Sequence, residues 1–124
     1  MRREAPLADR ERLAHMLQPA KDAVAIAAGH RREELDCDVL RQHALVHCVQ
    51  VIGEAATRVG DSGRLRVPDL PWPKIVGMRH ILVHDYFDID YDAVWRVVTE
   101  HVPQMIPLLQ NALASWPAEE DTSV

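Results

Sequence analysis

Between Cys37 and Val59 the apolar residues Leu40, Ala44, Leu45, Val49, Ile52, Ala55, Ala56 and Val59 return at helical intervals, without a proline and without strand-like alternation. That spacing lays one stripe along a helix of 3.6 residues per turn, and a stripe of this length must be covered by other helices. Asp36 or Asp38 is placed to cap its start, and Gly60 is its expected C′ residue.

Other stretches repeat the pattern. From Leu7 to about Ala28 the positions Leu13, Met16, Leu17, Ala20, Val24, Ala27 and Ala28 keep helical spacing, with Asp9 as an early cap and Gly29 as the stop. Pro19 either kinks this helix or begins a second one. His30-Arg31-Arg32-Glu33-Glu34 reads as a solvated connection. The tripeptide Pro71-Trp72-Pro73 opens a helix holding Ile75, Val76, Met78, Ile81, Leu82 and Val83, with Trp72 as a packing residue. Asp90 caps the next, which runs to about His101 with Ala93, Val94, Val97 and Val98 inward. Val102-Pro103 breaks it, and Pro103 or Pro107 starts a last amphipathic segment to Trp116. The fold class is therefore all-α, a small bundle of four to five helices. Residues 1–116 form a single domain, and the acidic stretch 117–124 is expected to be a disordered tail.

Three Trp, two Tyr and one Phe leave the core to aliphatic side chains. A net charge of −5 excludes a protein that coats nucleic acid, because such binding rests on many Lys and Arg contacts to phosphate. A local positive site is still allowed. No apolar run is long enough for a signal peptide or a membrane span, and Cys37 and Cys48 lack zinc spacing, which suits a reducing cytoplasm without disulfides.

One stretch carries chemistry. Met78-Arg79-His80-Ile81-Leu82-Val83-His84-Asp85-Tyr86 sets an Arg, two His and a Tyr among aliphatic residues. On a continuous helix Arg79 and His84 lie about 140° apart, so they share a face only where the helix ends or bends near His84. Asp85 to Asp90 reads as a loop, which puts His84 at a helix C-terminus, where the dipole favours an imidazolium. The planar fork of Arg79 suits phosphate. A phosphate clamp beside a His that titrates near neutrality is a minimal kit for cutting RNA without a metal. The imidazole takes the proton of the ribose 2′-OH, the oxygen attacks phosphorus, and the guanidinium stabilises the developing charge. DNA lacks that hydroxyl and is spared.

Arg79-x4-His84-x-Tyr86 resembles the Arg-x4-His-x-Tyr signature of the HepT toxins in the HEPN superfamily of small helical ribonucleases. Val51-Ile52-Gly53-Glu54-Ala55, Pro71 to Arg79, Val94-Trp95 and Val102-Pro103 resemble other segments of that family in the same order, covering about half of the chain. The position after the Arg, commonly Asn or Asp in the family, is His80 here. The resemblance implies an HEPN-like domain and a metal-independent endoribonuclease toxin of a type VII (HepT/MntA) pair. RNA is then the substrate and no cofactor is required. Arg79 and His84 are the catalytic pair, supported by His80, Asp85 and Tyr86. It also implies a homodimer and an MntA-like minimal nucleotidyltransferase antitoxin that attaches AMP to Tyr86. Charge and bulk added there would occupy the phosphate site. A two-fold dimer would bring two copies of Arg79 and His84 to one cleft, with a base from one subunit and an acid from the other. Tyr91 is a weaker candidate for either role of Tyr86.

Two other readings compete. In one, the chain is a non-catalytic helical module that binds a nucleotidyltransferase partner or a nucleotide through Arg79 and His84. In the other, His43/His47 and His80/His84, each pair four residues apart, form a metal site; that reading lacks the Glu of a zinc protease motif. Helix-surface histidines are the simpler account of His43 and His47. Arg64 and Arg66 add positive potential near a substrate, or are lone surface arginines.

Overall fold

Leu45, Val49, Ile52, Ala56 and Val59 are 0 to 3% exposed; the first four belong to the helix around which the others are arranged, and Val59 caps its end. In a computed structural model of the chain this is α3 (Val39–Arg58). It packs on α1 (Glu4–Ala27) and on α5 (Trp72–Ile81), while α1 also packs on α7 (Val102–Ala114). The structure describes the backbone of residues 4–81, 83–85 and 88–117, and the side chains of 8–80 and 89–117. The expected tail from 118 onward, Leu82, Tyr86, Phe87 and the side chains of His84 and Asp85 lie outside the described residues. Leu13 and Met16 of α1 and Val102 and Leu109 of α7 close the core. Truncating one of its Leu residues to Ala should cost about 2–5 kcal/mol.

The all-α class holds, with one addition. A short antiparallel hairpin, β1 (Val83–Asp85) and β2 (Asp88–Ile89), follows α5, pairing Val83 with Ile89 and Asp85 with Asp88. The helix expected to run through Val83 therefore ends at Ile81.

Several boundaries differ for identifiable reasons. Pro19 sits inside an unbroken α1, so it begins no second helix. Gly29, at φ +77°, ends that helix as expected. Asp9 is no cap of its own helix. It lies within α1, is 4% exposed, and accepts hydrogen bonds from the N–H groups of Gly60 (2.9 Å) and Gly63 (3.2 Å). Those donors belong to the start of α4 (Asp61–Leu65), a short helix in the stretch expected to be a turn-rich connection. Gly60 has φ −76° and is the N-cap of α4, not a left-handed C′ residue. Asp38 does cap α3, accepting from Arg41 N–H at 3.0 Å. Leu40 is 84% exposed, because it stands about 140° around α3 from Leu45.

The charged connection is a helical turn, α2 (Arg32–Leu35), tied to its surroundings. Arg32 reaches Asp36 at 2.8 Å and Asp92 at 2.6 Å, and both carboxylates raise its pKa. Asp92 lies in the first turn of α6 (Tyr91–Arg96), which Asp90 caps through Ala93 N–H at 3.0 Å. The expected break at Val102-Pro103 does not occur. A π-helical turn over Val97–His101 joins α6 to α7, with Val102 N–H donating to Val97 five residues back. Pro103 lacks an N–H and its ring would clash with the carbonyl four residues earlier; the wider turn relieves that clash and lets the helix continue.

Arg64 and Arg66 are occupied structurally. Arg64 donates to the carbonyls of Val59 (3.1 Å) and Ala56 (3.2 Å) at the end of α3 and stacks 5.2 Å from the Trp72 ring centroid. Arg66 stacks 4.6 Å from Trp116. Trp72, buried, donates to Val67 C=O at 3.0 Å, as its packing role requires.

Candidate functional site

Gly53 decides how closely α5 approaches α3. A Cβ built there would meet Arg79 N and Ile75 C=O at 3.3 Å each, tighter than ordinary van der Waals contact, so the bare hydrogen at this position lets the two backbones pack this closely without either giving way. One consequence is that Arg79 emerges directly against α3. Its Nη1 lies 3.1 Å from Glu54 Oε1 and donates to Thr57 Oγ1 at 3.3 Å. Among the described residues, these contacts of the guanidinium are made by Nη1 alone, which leaves the Nε and Nη2 donors on its other edges.

Glu54 serves two arginines. Its Oε2 is 3.7 Å from Arg58 Nη2, so a carboxylate sits between two guanidiniums and the cluster carries one net positive charge. In a chain of net charge −5 this is a local excess of positive charge.

Of the residues singled out in sequence, Arg79 is half-buried and anchored, and His80 follows it on α5 with an exposed side chain. The backbone of His84 and Asp85 lies in β1, not at a helix C-terminus, because α5 stops three residues before His84. The dipole of α5 therefore does not act on His84 as it would at a helix C-terminus, since that effect fades within the last turn. Tyr86 lies outside the described residues. No group of three or more His, Cys, Asp or Glu side chains among the described residues could hold a metal, and no helix among them is long and apolar enough to cross a membrane.

Glu54 and Thr57 carried no role in the sequence reading. The signal that could have found them is their register on α3. His43, His47, Gln50, Glu54 and Thr57 recur every three or four residues on the side opposite Leu45 and Ile52, and all five are exposed. Beside the first three is a cavity of about 220 Å³, lined by His43, Val46, His47, Gln50, Ile89 and Tyr91. Ile89 is the strand partner of Val83, so this cavity borders the hairpin that carries His84. A larger cavity of about 340 Å³ lies between α5 and α7, walled by Leu70, Ile75, Met78, Val97, Met105 and Leu108; Arg79 does not line it.

Comparison with known proteins matches residues 16–112 to the family described as ribonuclease HepT-like. A candidate RNase of Methanocaldococcus jannaschii is 32% identical over 90 residues, covering 73% of this chain and 83% of that protein. One of Caldanaerobacter subterraneus is 29% identical over 93 residues, covering 75% and 83%. A ribonuclease HepT assignment in Thermococcus cleftensis is 32% identical over 73 residues, covering 59% and 66%. No solved structure matches.

Proposed function

The chain belongs to the ribonuclease HepT-like family, and from that premise we propose that it is a metal-independent endoribonuclease, the toxin of a toxin–antitoxin pair. The observation that carries this reading is the anchoring of Arg79 to Glu54 and Thr57 next to the strand that contains His84. A guanidinium held by one nitrogen presents its remaining donors in a fixed fork, the arrangement that suits two oxygens of one phosphate.

In this mechanism the neutral His84 imidazole takes the proton of the 2′-OH, and the resulting oxygen attacks the adjacent phosphorus. The P–O5′ bond breaks, leaving a 2′,3′-cyclic phosphate on one product and a 5′-OH on the other. The proton returns to the departing O5′ from an imidazolium, and Arg79 stabilises the extra negative charge on phosphorus oxygens between these events. In a homodimer the second copy supplies the other imidazole.

Control of the enzyme is assigned to Tyr86. A nucleotidyltransferase antitoxin would transfer AMP from ATP to its hydroxyl with release of pyrophosphate, and the added phosphate would compete for Arg79. The test is cleavage of total RNA in excess EDTA by the parent protein, Arg79→Ala and His84→Ala. Cleavage by the parent alone, with cyclic phosphate ends, is expected. No cleavage by folded parent protein whose Tyr86 is unmodified by mass would remove the ribonuclease reading.

A further inference from the structure

We infer that the cavity formed by His43, His47, Gln50, Ile89 and Tyr91 receives one unpaired nucleobase of the RNA strand, next to the nucleotide whose phosphate Arg79 holds. The inference rests on the ribonuclease reading and extends it to how the substrate is chosen.

Three observations meet here. The first is chemical: two imidazoles, a primary amide and a phenol ring converge on a single concavity of about 220 Å³. Single-stranded RNA is read by splaying bases onto aromatic or His side chains and by hydrogen bonds to their edges, and Gln50 offers both a donor and an acceptor for such an edge. The second is position. Gln50 precedes Glu54 by one helical turn, a rise of about 6 Å, and His43 precedes it by about 16 Å. A strand whose phosphate lies on Arg79 and that follows α3 therefore meets the Gln50 end of the cavity first, one helical turn from Glu54.

The third is support. Tyr91 begins α6, whose N-terminus is fixed by the Asp90 cap and by the 2.6 Å pair between Arg32 and Asp92. The walls of the cavity thus belong to three separate elements, α3, β2 and α6, and one of them is braced from α2. The metal alternative for His43 and His47 is weaker, since no third ligand joins them among the described residues. The four polar groups of the cavity have no part in the cleavage chemistry assigned to Arg79 and His84, which leaves them available for selection.

The experiment uses the full-length protein and short 2′-O-methyl RNA oligonucleotides, which cannot undergo 2′-OH attack. At each position in turn they carry one of the four bases or an abasic sugar. Binding is followed by fluorescence anisotropy at fixed salt, with circular dichroism as the folding control. At one position the preferred base should bind about tenfold tighter than the abasic sugar, the scale expected of one stacked base. His47→Ala and Gln50→Ala, both surface positions, should each bring that ratio down toward one, and Tyr91→Phe should retain more of it than Tyr91→Leu. Equal binding of base-bearing and abasic oligonucleotides by the parent, or a ratio untouched by these variants, would overturn the proposal. Failure of the ribonuclease reading shows separately, as absence of cleavage of unmodified RNA by a parent protein whose base-dependent binding is intact.

Discussion

The Glu54 carboxylate holds Arg79 at 3.1 Å and Arg58 at 3.7 Å. The residue that follows the chain's close-packing glycine, Gly53, therefore orients the proposed phosphate ligand and also competes with phosphate for it. Removing the carboxylate has two separable effects, because orientation and charge act at different stages of binding and chemistry.

Glu54→Gln keeps an oxygen that can accept from Nη1 but deletes the charge. RNA affinity at low salt is expected to rise about two- to fivefold, with a steeper dependence on salt. Glu54→Ala deletes the anchor as well, and kcat should fall while binding still strengthens. Arg79→Lys keeps charge but loses the planar fork, so a loss of at least about 100-fold in kcat/KM is expected, the size seen when one transition-state donor is removed. Steady-state cleavage of a short single-stranded RNA at two salt concentrations separates these outcomes. An Arg79→Lys protein with near-parental activity would show that phosphate sees Arg79 only as a point charge.

Gly53→Ala tests whether the approach of α3 to α5 positions the site. Alanine favours a helix by about 1 kcal/mol over glycine. Its Cβ, however, would lie 3.3 Å from backbone atoms of Arg79 and Ile75, and overpacking of this kind costs about 1–3 kcal/mol. Net destabilisation should be about 1 kcal/mol, measured by urea unfolding. Activity should fall by more than that figure predicts, because the backbone of Arg79 itself must shift.

Much of this arrangement was legible in the chain. Local patterning marks the stripe from Leu45 to Val59, a cap for α3 at Asp36 or Asp38, the Asp90 cap and the turn at Gly29, since each depends on residues within a few positions of one another; the structure selects Asp38. The resemblance drew attention to Arg79 and to the Gly53-Glu54 segment. The illegible features are long-range. The bonds from Gly60 and Gly63 to Asp9 span 51 and 54 residues, and nothing local to Asp9 distinguishes that partner from its own helix start. Leu40 counted as inward because it is apolar, although its angle on the helix says otherwise. Val102-Pro103 reads as a break in sequence because a π-helical turn, which accommodates the proline, has no sequence signature of its own.

Asp9 supplies a stability prediction. Its carboxylate accepts two backbone N–H groups at the start of α4, and a Cβ added at Gly63 would lie 2.8 Å from Asp9 Cγ and from Val59 Cγ1. Asp9→Ala leaves both donors without their acceptor, that of Gly63 in a buried setting, which should cost about 2–3 kcal/mol. Gly63→Ala should be at least as damaging, because neither a buried carboxylate nor Val59 can move far. Thermal unfolding of both variants checks this. An Asp9→Ala protein as stable as the parent would mean that water satisfies the α4 donors equally well.

The two thiols give the last test. Cys37 is exposed and Cys48 is buried on α3, where burial pushes its pKa up, with Asp22 adding to the shift. The thiolate is the reactive form, so a disulfide reagent near pH 8 should modify Cys37 quickly and Cys48 only when the bundle opens. The raised pKa also fixes a sign. The folded state retains the Cys48 proton at a pH where the unfolded chain has begun to lose it, so the contribution is complete below the unfolded value. It then declines as pH rises from there through the higher folded pKa. Stability of the parent should therefore fall more steeply above about pH 9 than that of Cys48→Ala, measured by urea unfolding at several pH values. Fast modification of both thiols in the native protein would show that α3 is open to solvent on its core side, against the packing of Cys48 beside Leu45, Val49 and Ile52.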